Sequence, residues 1–408
     1  MPNGIRVLED SIPWIRSVSI GIFMHTGASM ETPSEWGLSH FMEHMAFKGT
    51  QSRTARQIAV ETDAMGGHFN AFTSRDCTCF YGSVIDDDLE KAISILSDLV
   101  LHANLAQDDM DRERTVILDE LAMEEDDPEG SVEEMVHQKM YGDQPCAHEI
   151  LGRADQVAAY SAEDLRTFRD THYAPSRCVI SISGHYDENE LHRLLDTYLL
   201  PWNTGLEDLH VPRMDPVCFE PVYCSREIEQ MHLCLSYPAL EYGHPDINAL
   251  TLLSSILGGQ SSSRLYLRIR EELGLAYALY TYGYALESTG TFNVYAACSP
   301  QNIQKVYTEI RTELTQFLQG GISDRELSDA KKCLRISNLM SLEHSSSRMM
   351  SQGQTMVITG RQLDLEKSLA RLAAITPEQL LGLAEKILSR EPVIGLLGPD
   401  AENLGRCL

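Results

Sequence analysis

Apolar and polar residues alternate along "RSVSIGIFMHTG" (16–27) and "HLCLSYPAL" (232–240), a period of two that predicts antiparallel strands with one covered face. Elsewhere the period lengthens. Residues 88–103 and 301–319 carry apolar positions three and four apart, which predicts long helices lying on a sheet. These patterns occur twice. "CFYGSVIDDDLEKAISIL" from 79 is echoed by "FNVYAACSPQNIQKVYTEI" from 292, and "SAEDLRTFRDTHYAPSRCVISISG" (161–184) by "TPEQLLGLAEKILSREPVIGLLG" (376–398). The offset is nearly constant at about 214 residues, with Leu89 opposite Ile303 and Gly184 opposite Gly398. Both late helices open on Ser or Thr with Glu two residues on, an N-cap followed by an acidic first turn. The coarse order in each copy is strand, helix, strands, helices, strand. The fold class is α+β: two homologous α/β-sandwich domains, each a mostly antiparallel sheet covered by helices. They span 1–205 and 206–408 and join in the proline- and turn-rich "PWNTGLEDLHVPRMDP" (201–216).

A chain of 408 residues has the length for two such cores. Its net charge of −27, from 33 basic and 60 acidic side chains, argues against nucleic acid, because phosphates need a basic surface. The same charge would attract basic peptides. No apolar run is long enough to span a membrane, and "MPNGIRVLEDSIPW" has no leader pattern, so a cytoplasmic address is expected. Ten cysteines without a Cys-x-x-Cys pair are expected to be reduced and mostly buried.

The chemistry concentrates in "WGLSHFMEHMAFKGT" (36–50). On a helix, His40, Glu43 and His44 stand at i, i+3 and i+4 and share one face. A lone histidine is more often a satisfied core residue, but three polar side chains on one stripe of an apolar helix are costly unless they bind something. Two imidazoles and a carboxylate suit zinc, one ion per chain, with a coordination position left open for water. Glu43 is placed to take the proton of that water and hand it to a leaving amine. A third ligand is required, and "DRERTVILDELAMEEDDPEG" (111–130) offers several acids. Glu113 and Glu120 lie two turns apart on one helical face, Asp119 points about 100° away, and Glu124 and Glu125 fall in a solvated acidic run. Spacing alone leaves the choice among them open.

"HFMEHMAFKGT" followed by "RERTVILDELAMEEDDP" resembles the pitrilysin/insulinase superfamily of zinc peptidases, the inverzincins, whose His-x-x-Glu-His order inverts His-Glu-x-x-His. The likeness covers essentially the whole chain and is closest to the short bacterial branch, similar to the mitochondrial processing peptidase beta subunit. "GGHFNAFTSRDCTCFY" (66–81) and "HYAPSRCVISISG" (172–184) resemble further segments of that branch. The resemblance implies that His40, His44 and Glu120 bind zinc, that Glu43 is the general base and that Glu113 orients a ligand from behind. It places Asn70, Ala71 and Thr73 on an edge strand where an extended peptide docks.

At the offset of the metal motif, "TLLSSILGG" (251–259) has no histidine or glutamate, and "SDAKKCLRISNL" (328–339) lacks paired carboxylates, so the second copy is expected to hold no metal. Its "LGGQSSSRLYLRIREELGLAYALYTY" (257–282) reads, by itself, as a surface loop before an amphipathic helix. It also resembles the family segment whose arginine and tyrosine hold the substrate carbonyl, and Arg270 and Tyr277 are the matching positions. Guanidinium and phenol both donate to a developing oxyanion. The resemblance further implies a homodimer, or a heterodimer with a related chain, enclosing a chamber for oligopeptides and unfolded segments. The expected function is a zinc metalloendopeptidase. A peptidase that removes the leader of a dedicated precursor would use the same residues, and a non-catalytic scaffold subunit would do without them.

Overall fold

The computed structural model describes residues 1–203, 211 and 213–408. Its compact units are not two continuous halves. One comprises Met1–Ala122, His148–Val211 and Met340–Leu363; the other comprises Met123–Ala147, Pro212–Leu339 and Asp364–Leu408. The expected boundary between 205 and 206 lies outside the described residues.

The first unit is built on a five-stranded sheet of β1 (Arg6–Ser11), β2 (Ser17–Met24), β3 (His68–Thr73), β4 (Thr78–Ile85) and β5 (Cys178–Gly184). Its order is β1-β5-β2-β4-β3. Only β1 and β5 run parallel; β2 pairs antiparallel with β4 and β5, and β3 with β4. The second unit repeats this plan with β6 (Val222–Ser225), β7 (Met231–Pro238), β8 (Ala276–Ala285), β9 (Gly290–Cys298) and β10 (Val393–Gly398), in the order β6-β10-β7-β9-β8. The doubling read from the sequence is therefore a doubling of topology, although each copy opens with two strands before its first helix.

In the first unit, helices α1 (Leu38–Ala46), α2 (Leu89–His102), α3 (Gln107–Asp126) and, later in the chain, Ala162–His172 close one core with Ile20, Ile22 and Met24 of β2. Ser161 caps that last helix by accepting from the amide of Asp164, as the sequence pattern implied, and Thr376 does the same for Gln379 at the start of Pro377–Leu388. In the second unit the core lies between the sheet and helices that include Ile247–Leu257, Ile303–Gly320 and Pro377–Leu388.

One expectation fails at the strands. β2 and β7 are buried on both faces, not one. The second face of β2 is covered by helix Ser345–Thr359, whose Met349 and Val357 pack with Phe23, Cys79 and Val179. The approach is close enough that a Cβ on Gly353 would lie 2.1 Å from Phe23 Cε2. In the second unit, α4 (Pro128–Tyr141) covers β10 and β7, and a Cβ on Gly395 would lie 2.2 Å from Val136 Cγ2. Each unit thus takes a covering helix from the opposite half of the sequence. The ten cysteines are thiols outside any disulfide, and six of them are buried. Among the described residues no helix is long and apolar enough to cross a membrane.

Candidate metal centre

Helix α1 forms because its apolar stripe, Leu38, Phe41, Met42 and Met45, is fully committed to the core of the first unit. The chain enters it through Gly37 at φ 90°, ψ −4°, a conformation in which a Cβ would also lie 2.5 Å from the carbonyl oxygen of Leu151. Anchoring that stripe leaves His40, Glu43 and His44 together on the remaining face. The two imidazole rings meet edge to face, with centroids 4.6 Å apart.

Helix α3 supplies the partner. Met110, Glu113, Ile117 and Leu121 form its buried stripe, so Glu113 is drawn inward with the apolar residues while Glu120 stands beside it, half-buried. Glu120 Oε2 lies 3.3 Å from His44 Nε2 and 3.8 Å from His40 Nε2. One donor atom from each of His40, His44 and Glu120 falls within 4.8 Å of the others. Asp119, Glu124 and Glu125 are exposed and none of them belongs to this convergent group.

The surroundings fix these groups. Glu113 Oε2 is 3.1 Å from His44 Nδ1, and its other oxygen is 2.6 Å from Lys48 Nζ. With Nδ1 engaged, Nε2 of His44 is left facing Glu120. His40 Nδ1 is buried without a hydrogen-bond partner among the described residues, while its ring meets His44 and its Nε2 faces Glu120. Burial, and then His44 beside it, push the His40 imidazolium down to about 3, which keeps the ring neutral at physiological pH. Glu43 accepts a hydrogen bond of 2.6 Å from Thr73 Oγ1, and burial pushes its carboxyl above the usual range against that bond.

This donor set fits zinc. Tetrahedral bonds of about 2.0–2.1 Å place ligand atoms about 3.3 Å apart, the separation found between His44 and Glu120 and somewhat less than that between His40 and Glu120. Three protein donors with a carboxyl beside them match a centre that keeps one position for solvent or substrate. Among the described residues no second group of three such donors converges.

β3 is the outer strand of its sheet, paired only to β4. It carries Asn70, exposed, Ala71, buried, and Thr73, which links the strand to Glu43. Arg270 and Tyr277 lie in the second unit. The segment before β8 is an amphipathic helix, as the sequence suggested, but wound as a π-helix over Tyr266–Glu272, with Leu265 and Ile269 buried. Arg270 stacks there over the rings of Tyr266, at 4.9 Å, and Tyr277, at 6.0 Å. Tyr277 is 74% exposed.

Two participants escaped the sequence reading. Lys48 stands one helical turn beyond His44, a spacing that could have flagged it. Glu31 has no such local signal, because it reaches α1 from a loop: its oxygens accept the amides of Gly37 and Ser39.

Comparison with known proteins identifies the family. Residues 6–154 match the family model described as insulinase (peptidase family M16), and residues 159–334 match that of the peptidase M16 inactive domain. An uncharacterised zinc protease of Bacillus subtilis, YmxG, is 33% identical over 98% of this chain and 97% of its own. An uncharacterised zinc protease of Streptomyces coelicolor is 34% identical over 98% of this chain and 88% of its own. Among solved structures, a protease from Helicobacter pylori superposes with a TM-score of 0.89 at 20% identity, covering 97% of both chains. A peptidase M16 inactive domain from Pseudomonas fluorescens gives 0.90 at 20% identity, covering 97% of this chain and 96% of that one. With a convergent His–His–Glu set in its first copy and whole-length likeness of this kind, the chain belongs to peptidase family M16, within the pitrilysin/insulinase superfamily.

Proposed function

We propose that the chain is a zinc-dependent metalloendopeptidase that cleaves oligopeptides and unfolded segments. The observation that carries this reading is the convergence of His40, His44 and Glu120 within 4.8 Å, beside the buried carboxyl of Glu43. His40, His44 and Glu120 would hold the zinc ion. When bound, zinc supplies Lewis acidity and lowers the pKa of coordinated water.

The remaining work falls to the chain itself. Glu43 takes the proton of the attacking water and delivers it to the leaving nitrogen; burial raises its proton affinity, which suits both halves of that transfer. Thr73 fixes the carboxyl so that one oxygen stays free to act. The open edge of β3 offers main-chain donors and acceptors to an extended peptide whatever its side chains, which supports broad specificity. Arg270 and Tyr277 would donate to the scissile carbonyl oxygen as negative charge builds on it. Two copies of the chain would enclose the substrate, so that flexible peptides enter and folded proteins do not.

Metal analysis and mass-spectrometric product mapping on a mixed peptide pool test the reading. About one zinc ion per chain is expected, with cleavage lost on chelation and regained on zinc addition. Glu43→Gln should keep the metal and lose turnover by about 10²–10⁴-fold, whereas His44→Ala should lose the metal. A zinc-free protein, or full turnover in Glu43→Gln, would refute it.

A further inference from the structure

We propose that Glu31 is a positioning residue for this site: through the amides of Gly37 and Ser39 it sets the register of α1 against edge strand β3. The inference rests on the peptidase reading above for its catalytic consequence.

Helix α1 lacks a capping side chain of its own, since its N-cap is Gly37, and the first amides of a helix have no acceptor within it. Glu31 fills that role from outside. Its side chain is buried, 4% exposed, with Oε2 2.8 Å from the Gly37 amide nitrogen and Oε1 2.6 Å from that of Ser39. Ser39 directly precedes His40. Burial pushes the Glu31 carboxyl up to about 8 against the pull of those two amides, so its placement opposes its own ionisation. No side chain at position 37 could cap the helix in its place, because φ 90° and the nearby Leu151 carbonyl leave no room for a Cβ.

What a local cap could not supply is the tie at the other end. The turn that carries Glu31 is bonded to the chain just beyond β3: the amide of Ala28 donates to the carbonyl of Ser74 at 3.1 Å, and that of Ser29 to Arg75 at 2.8 Å. Ser74 follows Thr73, whose hydroxyl holds Glu43. The strand and the metal-binding helix are therefore joined twice, at the first turn of α1 through Glu31 and on its next turn through Thr73 and Glu43. A two-point tie fixes the position of the helix along the strand, and displacement of a catalytic group by about 1 Å can cost about 10²-fold in rate.

The test compares wild type with Glu31→Gln, which keeps shape but turns one oxygen into an NH₂ facing an amide, and with Glu31→Asp, which keeps both oxygens on a shorter arm. In Glu31→Gln, kcat should fall about tenfold or more with KM within about twofold, and zinc affinity by chelator competition should weaken about tenfold. Glu31→Asp should recover part of both. Amide exchange in α1, measured on metal-free protein, should quicken in Glu31→Gln. A lower Tm with unchanged kcat, zinc affinity and α1 exchange would make Glu31 a stabilising residue only and overturn the proposal. A wild type that binds no zinc defeats the peptidase reading alone, because exchange on metal-free protein still decides whether Glu31 holds the helix.

Discussion

Two carboxyls in the loop before α1 are pushed in opposite directions. Glu31 is raised by burial; Glu35 is also raised by burial, but hydrogen bonds from His172 and from the amide and hydroxyl of Thr32 reverse this and bring it down to about 2. The sign for Glu35 follows from linkage. A carboxyl whose folded pKa is depressed contributes stability that is present above its unfolded value and is lost as pH falls through the folded one. Wild type should therefore lose its stability advantage over Glu35→Gln between about pH 4.5 and about pH 2, as read by thermal unfolding across that range. A constant difference between the two proteins would mean that Glu35 does not titrate in that window. At this scale the sequence was most informative where partners are helical neighbours. His40, Glu43 and His44 were legible because one turn of helix brings them together. Glu31, nine residues upstream of His40 and bonded to the amides of Gly37 and Ser39, was not, since nothing in a sequence shows which loop folds back onto a helix end.

Among elements, the covering helices make the sharpest prediction. Gly353 faces Phe23 with no room for a side chain, and Met349 and Val357 of the same helix complete that second core. Gly353→Ala should destabilise the first unit by about 1–3 kcal/mol through overpacking, although alanine favours helix intrinsically. Urea unfolding measures it, and the combination with Phe23→Leu should recover part of the loss. An unchanged midpoint in Gly353→Ala would show that the helix can move away from the sheet at no cost. Strand alternation in 16–27 pointed to one covered face because serines at 17 and 19 read as polar and solvent-facing. In the structure Ser19 is buried, bonded to Ser83 and Ser345, and Ser183 bonds Asp10, so these hydroxyls line a packed face. A small hydroxyl that finds a partner is as much at home inside as out, and periodicity cannot tell the two apart.

For the whole molecule, the two copies share a topology but not their candidate residues. The first copy carries the donors; the second carries Arg270 and Tyr277, with the tyrosine largely exposed. If these two groups stabilise the oxyanion, Arg270→Ala and Tyr277→Phe should each lower kcat by about 10²–10³-fold while zinc content stays at the wild-type level. Steady-state kinetics with metal analysis on the same samples settles it, and unchanged turnover in both variants would remove the pair from the reaction.

By itself the sequence determined the doubling, the mostly antiparallel α/β plan and the His40–Glu43–His44 stripe of α1, because each is written in short-range periodicity. It also narrowed the candidate third donor to one acidic helix. Only the tertiary structure decided which acid of that helix faces the imidazoles, that Lys48 and Glu113 back His44, and that each sheet is closed by a helix from the other half of the chain. Those choices depend on contacts between residues far apart in sequence, where packing and not local pattern sets the outcome.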